Sequence, residues 1–457
     1  MSYLEPPREL DYTDFMAQIY PELFNKKALD ENSEKEIEAS LAKTVTFQVT
    51  DDCCMACTYC YQHNKKHNVM DFETAKKFVD RILDLENPDP YINVDNSPAV
   101  IFDFIGGEPF MAIDLINDIT NYITQRMIEL DHPWLFRHRL SICSNGLLYF
   151  DPKVQDYLTR NLNRLSFSIS IDGNKELHDA CRVDLDGAGT YDRAIAAVKH
   201  FREHFHGHMG SKMTLAPENI AFTAAATIGL IESGYNIIHL NCVYEEGWTY
   251  NHATVLYAQL KELANYMIDH DYHKTHYISM FEHSWYRPKD ETDNDNWCGG
   301  VDSLMISVDY KGDIFPCLRY MESSLNDAQK PVIIGNVDHG IYQTEEELKW
   351  KEELSGVTRR IQSTDECFNC PIAEGCAWCS AYNYEKFGTV RKRATFICPM
   401  HKATALANAY YWNLVYIKEH DARRFKIWLP EEKALEIISK EEWDTLKTLE
   451  TFPYIEV

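Results

Sequence analysis

The run Thr44-Val45-Thr46-Phe47-Gln48-Val49-Thr50, followed by Cys53-x3-Cys57-x2-Cys60, decides how this chain is read. The seven residues are β-branched or aromatic at alternate positions, the pattern of a strand. The loop behind it carries three thiols. Iron–sulfur clusters usually take four cysteines. Three on one loop therefore leave one iron of a cubane [4Fe–4S] cluster without a protein ligand and open to a small molecule. C-x2-C and C-x3-C fragments also hold zinc, so the triplet alone leaves both metals open. Cys54 breaks the x3 spacing and reads as a bystander.

Downstream of residue 44, β-rich runs alternate with amphipathic ones. Strands are expected at 44–50, 99–105, 138–143, 165–171, 211–215 and 236–243, with helices at 71–86, 111–130, 152–160, 189–204 and 218–232. Alternation of this kind implies βαβ units and a mainly parallel sheet. Six units correspond to an α/β partial (β/α)6 barrel over residues 44–245. Chemistry in such folds sits at the C-terminal ends of the strands. Residues 1–43 read as an N-terminal helical extension, 246–295 as a helical bridge, 296–400 as a cysteine-rich domain with a β-hairpin, and 401–457 as a C-terminal helical segment.

Short motifs close the predicted strands. Gly106-Gly107-Glu108-Pro109 follows the second. Its glycines permit close backbone approach to a ligand, and its carboxylate can accept from an ammonium group; a plain turn is the competing reading. Ser144-Asn145-Gly146 ends the third strand, where an Asn-Gly turn is equally expected. Ser170-Ile171-Asp172-Gly173 ends the fourth, and His178-x3-Arg182 follows. Taken alone, Arg182 reads as a surface residue. Cys143, Cys181 and Cys242 lie on or near sheet elements and read as small buried hydrophobes.

Seven more cysteines cluster late: Cys298, Cys317, Cys367, Cys370, Cys376, Cys379 and Cys398. A hairpin over 303–320, turning at Tyr310-Lys311-Gly312-Asp313, would bring Cys298 and Cys317 together. A zinc ribbon is the competing reading, though seven is an awkward count for sites of four thiolates.

The ordered motifs resemble those of radical S-adenosylmethionine (SAM) enzymes, and the late cysteines resemble the SPASM domain of the peptide-modifying members. The third spacing departs from that pattern, with x2 between Cys376 and Cys379 where x3 is usual. The resemblance implies that Cys53, Cys57 and Cys60 hold a cluster whose open iron chelates the methionine end of SAM. It assigns Tyr59, Gly106, Gly107, Glu108, Ser144, Asn145, Ser170 and Arg182 to SAM, with Ser170 and Arg182 on its carboxylate. It implies two auxiliary [4Fe–4S] clusters, the first on Cys298, Cys317 and Cys379, the second on Cys367, Cys370, Cys376 and Cys398, with one iron site of the first vacant.

Two activities follow from the resemblance. One is maturation of a ribosomally made precursor peptide by a thioether or other crosslink. The other is the anaerobic sulfatase-maturing oxidation of Cys or Ser to formylglycine. The latter enzymes typically place an Asp directly after the hairpin cysteine. Here Leu318-Arg319 follows Cys317, which favours crosslinking; Asp302, Asp309 and Asp313 remain as candidate bases. Reduction would come from an external donor such as flavodoxin or ferredoxin. A non-catalytic iron–sulfur scaffold is the third alternative.

Bulk properties narrow the partners. Across 457 residues, 71 acids against 45 Lys and Arg give a net charge of −26, a sign that disfavours nucleic acid. No signal peptide and no apolar run long enough for a membrane span are visible. A cytoplasmic location is therefore expected, where fourteen cysteines read as ligands rather than disulfides.

Overall fold

The computed structural model describes residues 42–453, except 63, 90, 206–209, 294–297, 302–303, 327 and 420–423. The expected helical extension falls almost wholly outside the described residues, as does Asp302.

Strands β1 (Lys43–Gln48), β2 (Val100–Ile105), β3 (His138–Ser144) and β4 (Leu165–Ile169) pair in parallel, in sequence order. Helices α1 (Phe72–Ile82), α2 (Ile113–Glu129) and α3 (Pro152–Asn161) connect them. Local chemistry sets the helix ends. Asp71 caps α1, its carboxylate accepting from Thr74 N at 2.7 Å, and Asp151 with Pro152 opens α3. Two short expectations were missed at this level: α1 stops at Ile82, four residues early, and an unforeseen helix α4 (Lys175–Cys181), capped by Asn174, follows β4. Then come α5 (Tyr191–Phe205), β5 (Ser211–Leu215), α6 (Thr223–Glu232) and β6 (Ile237–Cys242).

The strand faces are chemically opposite. Residues facing the helices form the core: Phe47, fully buried, stacks on Phe104 at 5.6 Å and meets Phe78 of α1 edge-on at 5.4 Å. Each such ring contributes about 2–3 kcal/mol of burial. The other face is polar: Thr46, Asp103, Ser141, Ser168, Lys212 and His239 occupy its strands. Polar alternation on a parallel sheet is unusual, since such strands are generally apolar on both faces. Here it marks a lumen rather than a packed interior.

The sheet is not continuous. β4 and β5 form no ladder; β5 pairs with β6, and β6 with β7 (Tyr277–Ile278), as a separate sheet. The seam is crossed by side chains: Ser211 Oγ donates to Ile171 O at 3.2 Å, and Thr214 N to Asp172 Oδ1 at 3.4 Å. In the turn after β4, Gly173 adopts φ +73°, and a Cβ there would lie 2.2 Å from Ala226 Cβ, so this turn packs directly on α6.

On the other side of β1, the first sheet grows from the cysteine-rich region. β8 (Met305–Val308) pairs in parallel with β1, and β9 (Asp313–Phe315) closes the expected hairpin. β10 (Gly335–Asn336) and β11 (Gly340–Ile341) complete the edge. The bridge helix α7 (Tyr250–Asp269) leads into β7. The linear segments 246–295 and 296–400 thus each supply strands to a barrel sheet. The helix Cys398–Glu419 runs across the expected boundary at residue 400. The C-terminal segment lies against α7: Lys261 Nζ meets Glu442 Oε1 at 2.6 Å, and Thr254 Oγ1 donates to Ile437 O at 2.8 Å. Among the described residues no helix is long and apolar enough to cross a membrane.

Candidate active site

The cysteine triplet rests on the segment that follows α4. Ala56 N donates to Val183 O at 2.9 Å and Thr58 N to Cys181 O at 3.0 Å. Cys53, Cys57 and Cys60 are half-buried. Burial pushes the Cys57 thiol up to about 11, with Cys60 and Cys53 adding to it and Arg182 opposing. A hydrogen bond with Cys54 holds the Cys53 thiol below its ordinary value. Lys65 feels all three thiols of the triplet; burial pulls its ammonium down, and Cys60, Cys53 and Cys57 more than offset that. Cys54 accepts from Asn145 Nδ2 at 3.3 Å.

The glycines of the Gly106-Gly107-Glu108-Pro109 turn approach the cysteine loop. A Cβ on Gly107 would lie 2.3 Å from Asp52 O, and one on Gly106 2.8 Å from Thr50 O. Gly107 N and Glu108 N bond to those same carbonyls, at 3.2 and 2.8 Å. Both glycines thus permit a close approach to the protein's own backbone. Glu108 is buried and accepts from Ser144 Oγ at 2.8 Å, Asn145 N at 2.7 Å and Phe110 N at 3.1 Å. Burial pushes its carboxyl up to about 7 against these donors. Through these bonds the carboxylate fixes the Ser144–Asn145 turn. Ser144 is buried behind it.

Arg182, which taken alone reads as a surface residue, is largely buried. Its Nε lies 2.7 Å from Asp172 Oδ2 and its Nη2 3.4 Å from Asp172 Oδ1, so this edge of the guanidinium is taken by the protein. Asp172 is fully buried and also accepts from the Tyr59 hydroxyl, and the Arg182 guanidinium lies 5.5 Å from the centre of the Tyr59 ring. His178 accepts from Asp172 N at 3.2 Å. Tyr59, Asp172, His178 and Arg182 thus form one cluster beneath the triplet. Ser170 places its hydroxyl 3.4 Å from the sulfur of Cys143. Cys143, read from sequence as buried, is exposed on the lumen face of β3, because the strand's alternation buries its neighbours Ile142 and Ser144 on the opposite face instead.

The late cysteines separate into two groups. Arg393 feels the thiols of Cys376, Cys367, Cys398 and Cys370 together, and its Nη2 lies 3.0 Å from Cys376 Sγ. Burial raises the Cys376 thiol, but His401 and Arg393 outweigh it and bring the value down to about 6. The second group is Cys298, Cys317 and Cys379. Burial raises the Cys317 thiol, with Cys298 and Cys379 adding to the effect. Cys298 Sγ lies 2.9 Å from Ser380 Oγ, which accepts from the buried Tyr320 hydroxyl at 2.9 Å. Arg319 stands beside Cys379, with Nη2 2.8 Å from Glu245 Oε1 and its guanidinium 4.8 Å from the Tyr61 ring centre. Tyr61 in turn senses Cys60, Cys317 and Cys143, so it lies between the triplet and this group. Tyr61, Arg319 and Arg393 carry no motif of their own in the sequence.

Asp309 and Asp313, the described candidate bases, are spent on the hairpin turn. Asp309 accepts from Lys311 N and Asp313 N at 2.9 and 3.0 Å, and Asp313 from Asn336 Nδ2 at 2.8 Å.

The thiol groups suit clusters better than single ions. Among the described residues, Asp271, His273 and Glu419 are the one group of three or more His, Cys, Asp or Glu whose donors all lie within 4.8 Å. No trio of thiols is that tight. Four thiolates at 2.3 Å around tetrahedral zinc sit about 3.8 Å apart, whereas a cubane spreads them over separate irons.

Residues 47–221 match the sequence profile of the radical SAM superfamily, and this part of the chain is a radical SAM domain. An uncharacterised protein of Methanocaldococcus jannaschii is 36% identical over 80 residues, 18% of this chain and 24% of that protein. The serine-type anaerobic sulfatase-maturating enzyme of Bacteroides thetaiotaomicron is 27% identical over 162 residues, 33% of this chain and 34% of the enzyme. This chain therefore spans about a quarter to a third of the length of these curated relatives. Among solved structures, native anSMEcpe with bound AdoMet and Kp18Cys peptide aligns with a TM-score of 0.57 at 16% identity, over 83% of this chain and 99% of that one. At that identity the alignment shows a shared fold.

Proposed function

We propose that the chain is a radical SAM/SPASM peptide maturase that installs a thioether or other crosslink in a ribosomally synthesised precursor peptide. The observation that supports this reading most is the grouping of ten cysteines as three, three and four. The first two groups face each other across Tyr61. Bound to the triplet's cluster and reduced by an external donor such as flavodoxin or ferredoxin, SAM would supply a 5'-deoxyadenosyl radical.

The chain's own residues would do the rest. The lumen, lined by hydroxyls and few charges, would orient one substrate hydrogen and keep water away. Glu108 would hold the Ser144–Asn145 turn against the cysteine loop. Asp172 would fix Arg182 and Tyr59 below it. The vacant position expected on the first auxiliary cluster would face a substrate thiolate beside Arg319, a cation that favours such an anion. A guanidinium there cannot accept a proton, which weighs against formylglycine chemistry. That second reading draws its support from the sulfatase-maturating relatives and from the anSMEcpe structure, whose name records a bound peptide.

The test is anaerobic reconstitution with SAM and a reductant, followed by coexpression with a short cysteine-containing peptide encoded beside the gene. Iron near about twelve per chain is expected for three cubanes. Wild type should form 5'-deoxyadenosine, Cys57→Ala none, and Cys370→Ala some without modified product. A peptide mass loss of two hydrogens, with fragmentation locating a sulfur–carbon bond, supports the crosslink. Formylglycine in its place overturns it, and absence of SAM cleavage by wild type leaves only a scaffold.

A further inference from the structure

Between the β5–β6 pair, the Trp285–Tyr286 segment and the helix Cys398–Glu419 lies a cavity of about 400 Å³. Its wall includes Lys212, His239, Asn241, Tyr244, Trp285 and His401. Lys212 and His239 are register partners on adjacent strands, both exposed on the lumen face, and Asn241 stands one step higher. The wall contains no Asp or Glu, although acids outnumber Lys and Arg by 71 to 45 in the chain. Among the described residues the Lys212 ammonium enters no ion pair. Asp103 on β2 senses it across the lumen but is bonded by Thr46 Oγ1 at 3.5 Å.

An ammonium at a concave wall that holds no acid of its own is screened less than one on an open surface, so it gains more from an arriving anion. Its neighbour is shaped to match. Burial, and then Lys212 itself, lower the His239 imidazolium, so the ring stays neutral and offers one hydrogen-bond donor without adding charge. The Asn241 amide offers two more. One fixed charge flanked by neutral donors suits a single carboxylate. The aromatic walls suit the aliphatic stem and flanking backbone, and the volume is that of a small-ligand site.

We propose that this cavity binds an Asp or Glu side chain of the substrate peptide, held by Lys212 with His239 and Asn241. The proposal rests on the peptide-modifying reading above and deepens it: an acidic residue seated here would hold its sequence neighbours over the lumen. The other source of the same chemistry is the carboxylate of SAM itself, and the test separates the two.

The probes are N-acetyl-L-glutamate N-methylamide and its uncharged isostere, N-acetyl-L-glutamine N-methylamide. They are titrated by saturation-transfer NMR into the anaerobically reconstituted, SAM-bound enzyme. The glutamate probe should bind saturably and about tenfold more tightly than the glutamine probe, the difference of one charge-assisted hydrogen bond. Lys212→Met should bring it down to the level of the glutamine probe, and Lys212→Arg should retain the preference. Equal binding of the two probes, no saturable binding, or a preference that survives Lys212→Met would overturn the proposal. So would a tenfold loss of SAM affinity in Lys212→Met, which would assign the cavity to SAM. These measurements need no turnover, so their failure is distinct from a failure of SAM cleavage, which bears on the function.

Discussion

Replacing Asp172 with asparagine removes a charge that the structure has withdrawn completely from water. Its carboxylate meets Arg182 at 2.7 and 3.4 Å, accepts from the Tyr59 hydroxyl and receives Thr214 N at 3.4 Å across the seam between the two sheets. The Arg182 side chain is only 12% exposed, so Asp172→Asn leaves a guanidinium largely buried and unpaired. Breaking a buried pair from one side costs about 3–5 kcal/mol. For a chain of 457 residues, the usual unfolding entropy per residue converts this to about 3–5 °C in Tm. Calorimetry of the reconstituted protein under anaerobic conditions measures it. The same reasoning fixes the double variant. Asp172→Asn with Arg182→Met removes both charges, and such replacements are often close to neutral, so most of the lost stability should return. The cysteine loop is hung on residues 181–183, so the single variant should also retain less iron. A loss below about 1 kcal/mol, or a double variant as unstable as the sum of its parts, would refute the reasoning.

Glu108 gives a pH dependence with a definite sign. Its folded-state carboxyl titrates near 7, above the ordinary 4.5, so the folded state holds an extra proton between those values. Its contribution is complete below about pH 4.5 and is lost as pH rises through 7, about 3 kcal/mol in all. The difference in denaturation midpoint between wild type and Glu108→Gln, followed from pH 5 to 8, isolates it; a flat difference contradicts it. Gly173→Ala should destabilise by more than about 3 kcal/mol, because the added methyl meets Ala226 in a left-handed backbone, whereas Gly187→Ala, with nothing within 4 Å, should cost only about 1 kcal/mol. Iodoacetamide on the native protein should label Cys143 well before Cys181 or Cys242, as read by peptide mass spectrometry, since Cys143 alone of the three is exposed.

Much of the site was visible as spacing. The strand before the triplet, the turns after β2, β3 and β4, and the hairpin that carries Cys317 all declare themselves through residues adjacent in the chain. What these residues do was harder to read. The protein partners of Glu108, Ser144 and Asn145, lie some 36 positions away, and only packing brings them to it. Arg182 alone reads as a surface residue, and the buried partner that draws it inward, Asp172, carries no sign of that role in the sequence. Cys143 looked buried because a cysteine in a strand usually is, whereas its side of β3 faces the lumen.

The sequence by itself determined the order of elements, the polar and apolar faces of the strands, and the grouping of thiols on short loops, because those properties depend on periods of two and 3.6 residues and on contacts a few positions apart. Tertiary structure alone decided that the sheet opens between β4 and β5, and that the hairpin of the cysteine-rich region extends β1. It also placed Tyr61 and Arg319 between two thiol groups more than two hundred residues apart in the chain, and left Lys212 facing a cavity whose wall holds no acid. Such facts depend on which distant surfaces exclude water from one another, and a local pattern carries no record of that.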